Sequence, residues 1–222
     1  MPIFGEYQTV GEPISVSDER GHISTVWQAR KSGGDNRLYA VKCYAPRTRE
    51  GKATQTDDLD KDRGIEFLEA IKQLKKAQSD GGRCLCPVHA MGIAPEGAWY
   101  VMDFYPGRTL RTWITNRGNV DTEGLKQVVY SCVVGCLALK KSRGYSHGNL
   151  KSTNVFLVGS PKPLRKRPLH LGDPYPASAS HLANLDADDR AAVTELLAQT
   201  TEVQDLRGIG ELILQLIEGR VV

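Results

Sequence analysis

A chain of 222 residues, 40% hydrophobic and 25% charged, is long enough to bury a core without crosslinks and has the composition of a globular protein. Its formal charge of +3 implies no partner held by bulk charge, so nucleic acid is not expected. The most apolar stretch, from Val128 to Leu139, is broken by Tyr130, Ser131 and Gly135 and falls short of the roughly 20 residues that span a bilayer. The opening Met-Pro-Ile-Phe-Gly-Glu lacks the basic start and apolar run of a secretory signal. Five scattered cysteines, Cys43, Cys84, Cys86, Cys132 and Cys136, fit a reducing compartment, so a cytoplasmic location is expected. Cys84, Cys86 and His89 offer three metal ligands without a nearby fourth, which favours buried thiols.

In chain order, Ile14 to Ser17 alternates as a strand does. Ser24 to Arg30 and Leu38 to Tyr44 read as a hairpin across the turn-rich residues 31–36. Pro46 to Arg63 is polar and reads as a mobile loop. Phe67, Ala70, Ile71 and Leu74 then recur at helical spacing. Val88 to Ile93 and Ala98 to Asp103 form a second strand pair about the turn Ala94-Pro95-Glu96-Gly97.

The remainder is mostly helical. Thr109 to Thr115 predicts a short helix. Asp121 to Lys141 predicts a long one, capped by Asp121 or Thr122, with Leu125, Val128, Val129, Cys132, Val133, Cys136 and Leu137 on its buried face. Val155 to Val158 is a short strand, and Pro161 to Pro168 a basic loop whose default reading is a solvated insertion. Ala183 to Ala198 is helix-prone. Leu206 to Glu218 repeats Leu206, Ile209, Leu212, Ile213, Leu216 and Ile217 as an amphipathic helix closed by Gly219.

Tyr39–Lys42, Trp99–Tyr105, His147–Asn154 and Leu171–Tyr175, with Asp205–Gly210 beyond them, occur in the order and contexts of the protein-kinase motifs, and together they resemble that family. Tyr39-Ala40-Val41-Lys42 is similar to V-A-I-K, which implies that Lys42 holds the phosphates of ATP. The strand ending in Met102-Asp103-Phe104-Tyr105 resembles the approach to the interlobe hinge. By that likeness Met102 is the gatekeeper, and Asp103 to Tyr105 present backbone groups to adenine. His147-Gly148-Asn149-Leu150-Lys151-Ser152-Thr153-Asn154 resembles the catalytic loop H-R-D-L-K-x-x-N, with Lys151 and Asn154 at the family's spacings and Asn154 implied as a Mg²⁺ ligand. Leu171-Gly172-Asp173-Pro174-Tyr175 aligns with L-x-D-F-G, which implies Asp173 as the main Mg²⁺ ligand, a simple Asp-Pro turn being the alternative. Asp205-Leu206-Arg207-Gly208-Ile209-Gly210 resembles the D-x-W-S-x-G helix, whose Asp caps the catalytic-loop backbone.

The departures fall on the chemistry. Asn149 stands where the family's Asp takes the proton from a substrate hydroxyl, and an amide is no base near neutral pH; such help is typically worth about 10²–10⁴ in rate. Gly148 replaces the Arg that clamps a phosphorylated activation loop. A similar H-G-N-x-K-S-x-N string is frequent in plant receptor-like kinases and in pseudokinases. In the phosphate-covering loop only Gly21 remains of three glycines, with Glu19 and Ser24 at the other positions. At ~4 Å and an effective dielectric near 20, Glu19 would repel a phosphate charge by about 4 kcal/mol. Pro174 and Tyr175 replace the Phe and Gly that let the activation loop rearrange. The helix glutamate that would pair with Lys42 is Glu66 or Glu69, Glu66 lying nearer the apolar stripe on a helical wheel.

The expectation is therefore an α+β, two-lobed protein-kinase-like fold. Its β-rich N-lobe would span residues 1–104 and carry one helix. Its helical C-lobe would span 105–222 and end soon after the helix 206–218, where a full kinase domain continues. The expected role is that of a pseudokinase: a non-catalytic module for regulation or protein interaction, with a protein partner and no membrane. The alternative is an enzyme that binds ATP with Mg²⁺ and transfers phosphate weakly. A third reading is a scaffold whose phosphate site is filled by its own side chains.

Overall fold

In the computed structural model, residues 1–19, 22–34, 36–46, 58–117, 120–159, 163–174 and 187–221 are described. The expected residues Gly21 and Tyr175, and positions 47–57 of the polar stretch, lie outside them. The chain divides into two compact units. One holds the described residues of Met1–Lys72 and Pro87–Phe104; the other holds those of Gln73–Cys86, Tyr105–Tyr175 and Leu185–Val222.

The first unit is built on a seven-stranded antiparallel sheet. Its strands are β1 (Ile3–Phe4), β2 (Tyr7–Thr9), β3 (Ser15–Glu19), β4 (His22–Lys31), β5 (Tyr39–Pro46), β6 (Val88–Ala94) and β7 (Gly97–Asp103). The order is β1-β2-β4-β5-β7-β6, and β3 also pairs with β4. Both hairpins expected from the sequence form, β4 with β5 and β6 with β7. The second turns tightly because Gly97 adopts φ +131°, where a side chain would collide with the Tyr44 carbonyl.

Alternation along the strands gives the sheet two apolar faces. One packs on α1 (Asp58–Ser79), whose Phe67 stacks on Tyr44 at 4.9 Å and tilts against Tyr100 at 5.7 Å. The stripe Phe67, Ala70, Ile71 and Leu74 is buried as its spacing predicts. The other face gathers Ala29, Val41, Cys43, Trp99 and Val101 with Phe4 and Tyr7 of the β1–β2 hairpin. The hairpin covers that face by aromatic contacts: Phe4 on Trp99 at 5.9 Å and Tyr7 edge-on to Tyr39 at 5.2 Å.

One expectation is corrected here. The polar stretch 46–63 is not all loop, because α1 begins at Asp58. The run Asp-Leu-Asp-Lys-Asp that opens it carries acids suited to the positive end of a helix dipole, a local signal that outweighs its polarity.

The second unit is mainly helical: α2 (Leu110–Arg117), α3 (Thr122–Arg143) and α4 (Ala187–Glu218), with a small hairpin of β8 (Val155–Leu157) and β9 (Leu169–Leu171). Asp121 is the N-cap of α3 and accepts from the Gly124 N–H at 2.7 Å. Gly144 closes the helix in the left-handed region, its N–H bonded to the Lys140 carbonyl. Val128, Cys132 and Cys136 are buried as expected, whereas Val133 and Leu137 are exposed. The core side of α3 is centred on Ser131, Gly135 and Leu139 instead, because Gly135 allows close approach: a Cβ there would meet Leu171 and the Cys84 backbone. The basic loop contains a 3-10 turn at Leu164–Lys166, with Leu164 buried.

Ala183–Ala198 and Leu206–Glu218 read as separate helical signals, yet α4 runs unbroken through 32 residues, and Ala187 to Glu218 contains no proline to stop it. Among the described residues no helix is long and apolar enough to cross a membrane.

Candidate functional site: the loop His147–Asn154

The loop between α3 and β8 is held from four directions within the second unit. From the end of α3, Arg143 reaches along it, donating from Nε to the Tyr145 carbonyl at 3.2 Å and from Nη2 to the Ser146 carbonyl at 2.5 Å. Its guanidinium also lies 4.0 Å from the centre of the Tyr145 ring. Burial works against the Arg143 charge and lowers its pKa, with Tyr145 and Asp205 offsetting part of that.

From α4, two residues one turn apart point at the loop. Thr201 Oγ1 accepts from the Ser146 N–H at 3.0 Å and itself donates to the Leu197 carbonyl at 2.7 Å. Asp205 accepts from Ser146 Oγ at 2.5 Å and from the Gly148 N–H at 2.8 Å. Both are buried. The capping role implied for Asp205 is thus present as geometry. Thr201 and Arg143 were not anticipated; the one available signal was Thr201 lying four residues before Asp205, on the same helix face.

From below, His147 is fully buried and joins the loop to the Asp173 segment. Its Nε2–H donates to the Gly172 carbonyl at 3.1 Å, and Nδ1 accepts the Asn149 N–H at 3.2 Å. Burial pulls its pKa down to about 4, against the opposing pull of Asp205, so the ring is neutral at pH 7. A neutral ring with both nitrogens engaged is a structural pin. The Gly172 N–H in turn donates to the Asn154 carbonyl at 3.0 Å.

The fourth contact is made by Asn149 itself. Its side-chain Nδ2 donates to the backbone carbonyl of Asp173 at 2.8 Å. Asp173 has φ +59°, the only described non-glycine residue in the left-handed region. The Asn149 amide therefore fixes the peptide of a residue in a sparsely populated conformation. A carboxylate at 149 could only accept, and would face that carbonyl oxygen with like polarity.

Asn154 Nδ2 donates to the Asn149 carbonyl at 2.9 Å, which orients its Oδ1 and leaves that oxygen as the acceptor end. With the Asp173 carboxylate, it supplies hard oxygen donors of the kind Mg²⁺ takes. Among the described residues no group of three or more His, Cys, Asp and Glu is placed to hold a metal. Lys151 is half-buried, its carbonyl accepting from the Asn154 N–H at 2.8 Å. Tyr105 stacks on Phe156 at 4.8 Å and bonds His170 Nδ1 through its hydroxyl at 2.8 Å.

The remaining expected residues lie in the first unit. Lys42 on β5 stands opposite Val26 of β4 and Tyr100 of β7, so it shares the sheet face on which α1 packs. Met102 is buried on that same face, opposite Ala40. The Asp103 side chain faces the other way, held by His89 Nε2 at 2.7 Å and by Arg37 at 2.5 Å. Glu69 bonds Lys72 at 3.0 Å on α1, which also carries Glu66. Glu19 and Ser24 sit in β3 and β4, Glu19 opposite His22. None of the five cysteines is in a disulfide, and burial pushes Cys43 and Cys132 up to about 12.

No protein-family profile matches this chain, and no curated protein matches it. Solved structures do. One is the crystal structure of Rad53 residues 1–466 in complex with AMP-PNP, a protein kinase, with a TM-score of 0.64 and 16% identity, covering 97% of this chain. The fold is protein-kinase-like. This chain spans about half, 49%, of the Rad53 chain.

Proposed function

We propose that this chain is a pseudokinase domain, a non-catalytic module for regulation or protein interaction, with residues 1–104 as its N-lobe and 105–222 as its C-lobe. The observation that carries the reading is the Asn149 amide bonded to the Asp173 carbonyl at 2.8 Å. The position where a kinase keeps its base holds a group that cannot accept a proton near neutral pH, and that group is engaged as a structural donor. Glu19 and Ser24 in place of glycines, Gly148 in place of Arg, and Pro174 after Asp173 support the same conclusion. Five cysteines outside any disulfide support a reducing, cytoplasmic setting.

The test is transfer of labelled γ-phosphate from ATP to the chain itself or to a generic protein substrate. No incorporation is expected. Incorporation that disappears in Lys42→Met would overturn the proposal.

A second reading, ATP binding with weak or altered transfer, is favoured by a specific set: Lys42, Asn154 and Asp173 are all retained, and the Rad53 structure holds AMP-PNP. Phosphoryl transfer depends mainly on positioning and charge, so these residues could serve without a strong base. Mg²⁺ would be held by Asn154 Oδ1 and the Asp173 carboxylate and would supply charge neutralisation for the phosphates. A Mg²⁺-dependent rise in Tm with millimolar ATP supports this reading; no shift removes it.

A further inference from the structure

Three half-buried aromatic rings of the second unit gather on one face of the β8–β9 hairpin. Val155, Leu157, Leu169 and Leu171 are buried on the opposite face. Alternation turns Phe156 and His170, which are directly paired across the two strands, to this one. Tyr105 lies over them. Its ring stacks on Phe156 at 4.8 Å, with 24° between the planes, and meets His170 edge-on at 6.1 Å. Its hydroxyl bonds His170 Nδ1 at 2.8 Å.

The two stacked rings are not held alike. Phe156 is fixed in place: its strand pairs with β9 on one side and bridges Thr109 on the other. Its ring edge lies so close to Gly172 that a Cβ there would meet Phe156 Cε2 at 2.9 Å. Tyr105 instead opens a turn, Tyr105-Pro106-Gly107-Arg108, whose Pro106 and Gly107 are exposed and whose Arg108 N–H donates to the Tyr105 carbonyl at 3.3 Å. Rotation about the Tyr105 Cα–Cβ bond lifts the ring off Phe156 and breaks the stack and the His170 bond, while both strands keep their pairing.

An aromatic face of this kind takes a planar ring, since every base has a π-face to stack on it. Phe156 stands two residues after Asn154, and His170 three before Asp173, the two donors of hard oxygen. A purine nucleotide combines a planar ring with the phosphates that Mg²⁺ on those donors would bind.

We infer that Tyr105 is a tethered competitor for that ring. It occupies the stacking place on Phe156, His170 latches it there, and a purine nucleotide binds only once the tyrosine swings off. The inference rests on the ATP-binding reading and adds its regulation: the chain's own side chain closes the base site. Any binding by the wild type is therefore weakened by the fraction of molecules in which Tyr105 is latched.

The test is calorimetric titration of the 222-residue chain with Mg²⁺–ATP and, separately, with adenosine, which offers the ring without the phosphates. Tyr105→Phe keeps the stack and loses the latch; Tyr105→Ala loses both. Tyr105→Phe binds more tightly than the wild type, and Tyr105→Ala about tenfold more tightly, with the same ordering for ATP and adenosine because the tyrosine competes with the base. A ring that only packs the turn gives the reverse, a lower Tm with no gain in affinity. Circular dichroism verifies that each variant folds; if Tyr105→Ala does not, Tyr105→Phe decides. A wild type that binds as tightly as the variants overturns the inference and leaves the ATP-binding reading standing. So does a gain confined to ATP. If neither the wild type nor a variant binds either ligand at millimolar concentration, that reading fails and the inference with it.

Discussion

Asp205 accepts the backbone N–H of Gly148 at 2.8 Å, so a helix that begins more than thirty residues after the loop decides its shape. The same carboxylate takes Ser146 Oγ at 2.5 Å. Replacing it by Ala leaves a buried hydroxyl and a part-buried backbone N–H without acceptors. Asp205→Ala should cost about 2–4 kcal/mol, read from urea unfolding, at roughly 1–3 kcal/mol per orphaned buried group. Asp205→Asn keeps one acceptor and should cost less. Equal losses in the two variants would mean that the bonds matter less than the packing.

His147 gives the fold an acid-sensitive element. Its folded pKa, near 4, lies below the ordinary value of 6.5, so the unfolded chain binds the extra proton first. The contribution is complete above about pH 6.5 and declines as pH falls toward 4, by roughly 1.4 kcal/mol for each unit of that window. Unfolding free energies measured at pH 7.5 and pH 5 should show the decline in the wild type. His147→Gln should flatten it. A wild-type profile level from pH 7.5 to 5 would contradict a neutral buried ring.

Gly148 occupies φ +70°, a conformation that costs a side-chain-bearing residue roughly 1–2 kcal/mol. Gly148→Ala should destabilise by about 1 kcal/mol for that reason alone. Gly148→Arg, which restores the kinase-family residue, should be no better, since the cost arises in the backbone. A stabilised Arg variant would point to an acidic partner for the guanidinium nearby.

Asn149→Asp tests the clamp on Asp173. It exchanges a donor for an acceptor against the Asp173 carbonyl, at an expected cost of about 1–3 kcal/mol. Asn149→Ala should cost less than Asp, because it removes the bond without adding repulsion. If Asp proved the more stable of the two, the Asn149 amide would not be what holds that peptide.

Gly208 lets α4 pass closely over the loop: a Cβ there would sit 2.8 Å from both the Leu150 carbonyl oxygen and the Leu150 Cβ. Gly208→Ala should therefore destabilise, by about 1–3 kcal/mol from overpacking, despite alanine's better helix propensity. Gly210→Ala, two residues on and with open space around it, is the control and should be neutral or stabilising.

The elements with strict period or a dense motif were legible in the sequence. The β4–β5 and β6–β7 hairpins, the buried stripe of α1 and the Asp121 cap all follow from local rules. Residues whose role depends on a distant partner were not. Ile3–Phe4 is too short to show alternation, and becomes a strand only because Tyr7–Thr9 folds onto β4. Leu169–Leu171 becomes one only opposite Val155–Leu157. Val133, Leu137, Leu206 and Ile217 are apolar at helical spacing and still face solvent, since periodicity shows that a helix has an apolar side but not how many such sides are covered. At the loop, the motif located His147, Asn149 and Asn154. Thr201 and Arg143, which hold its backbone, carry no signature of their own.

The β1–β2 hairpin has a consequence for biosynthesis. Phe4 and Tyr7 leave the ribosome before the ring that Phe4 packs against, since Trp99 is made roughly ninety residues later. Until β7 emerges, the hairpin has no complete surface to lie on, and Val41 and Cys43 of the same apolar face stay uncovered. That apolar face can therefore close only after β7 is made. A nascent chain halted before Trp99 would display this face, an apolar surface of the kind chaperones bind during synthesis.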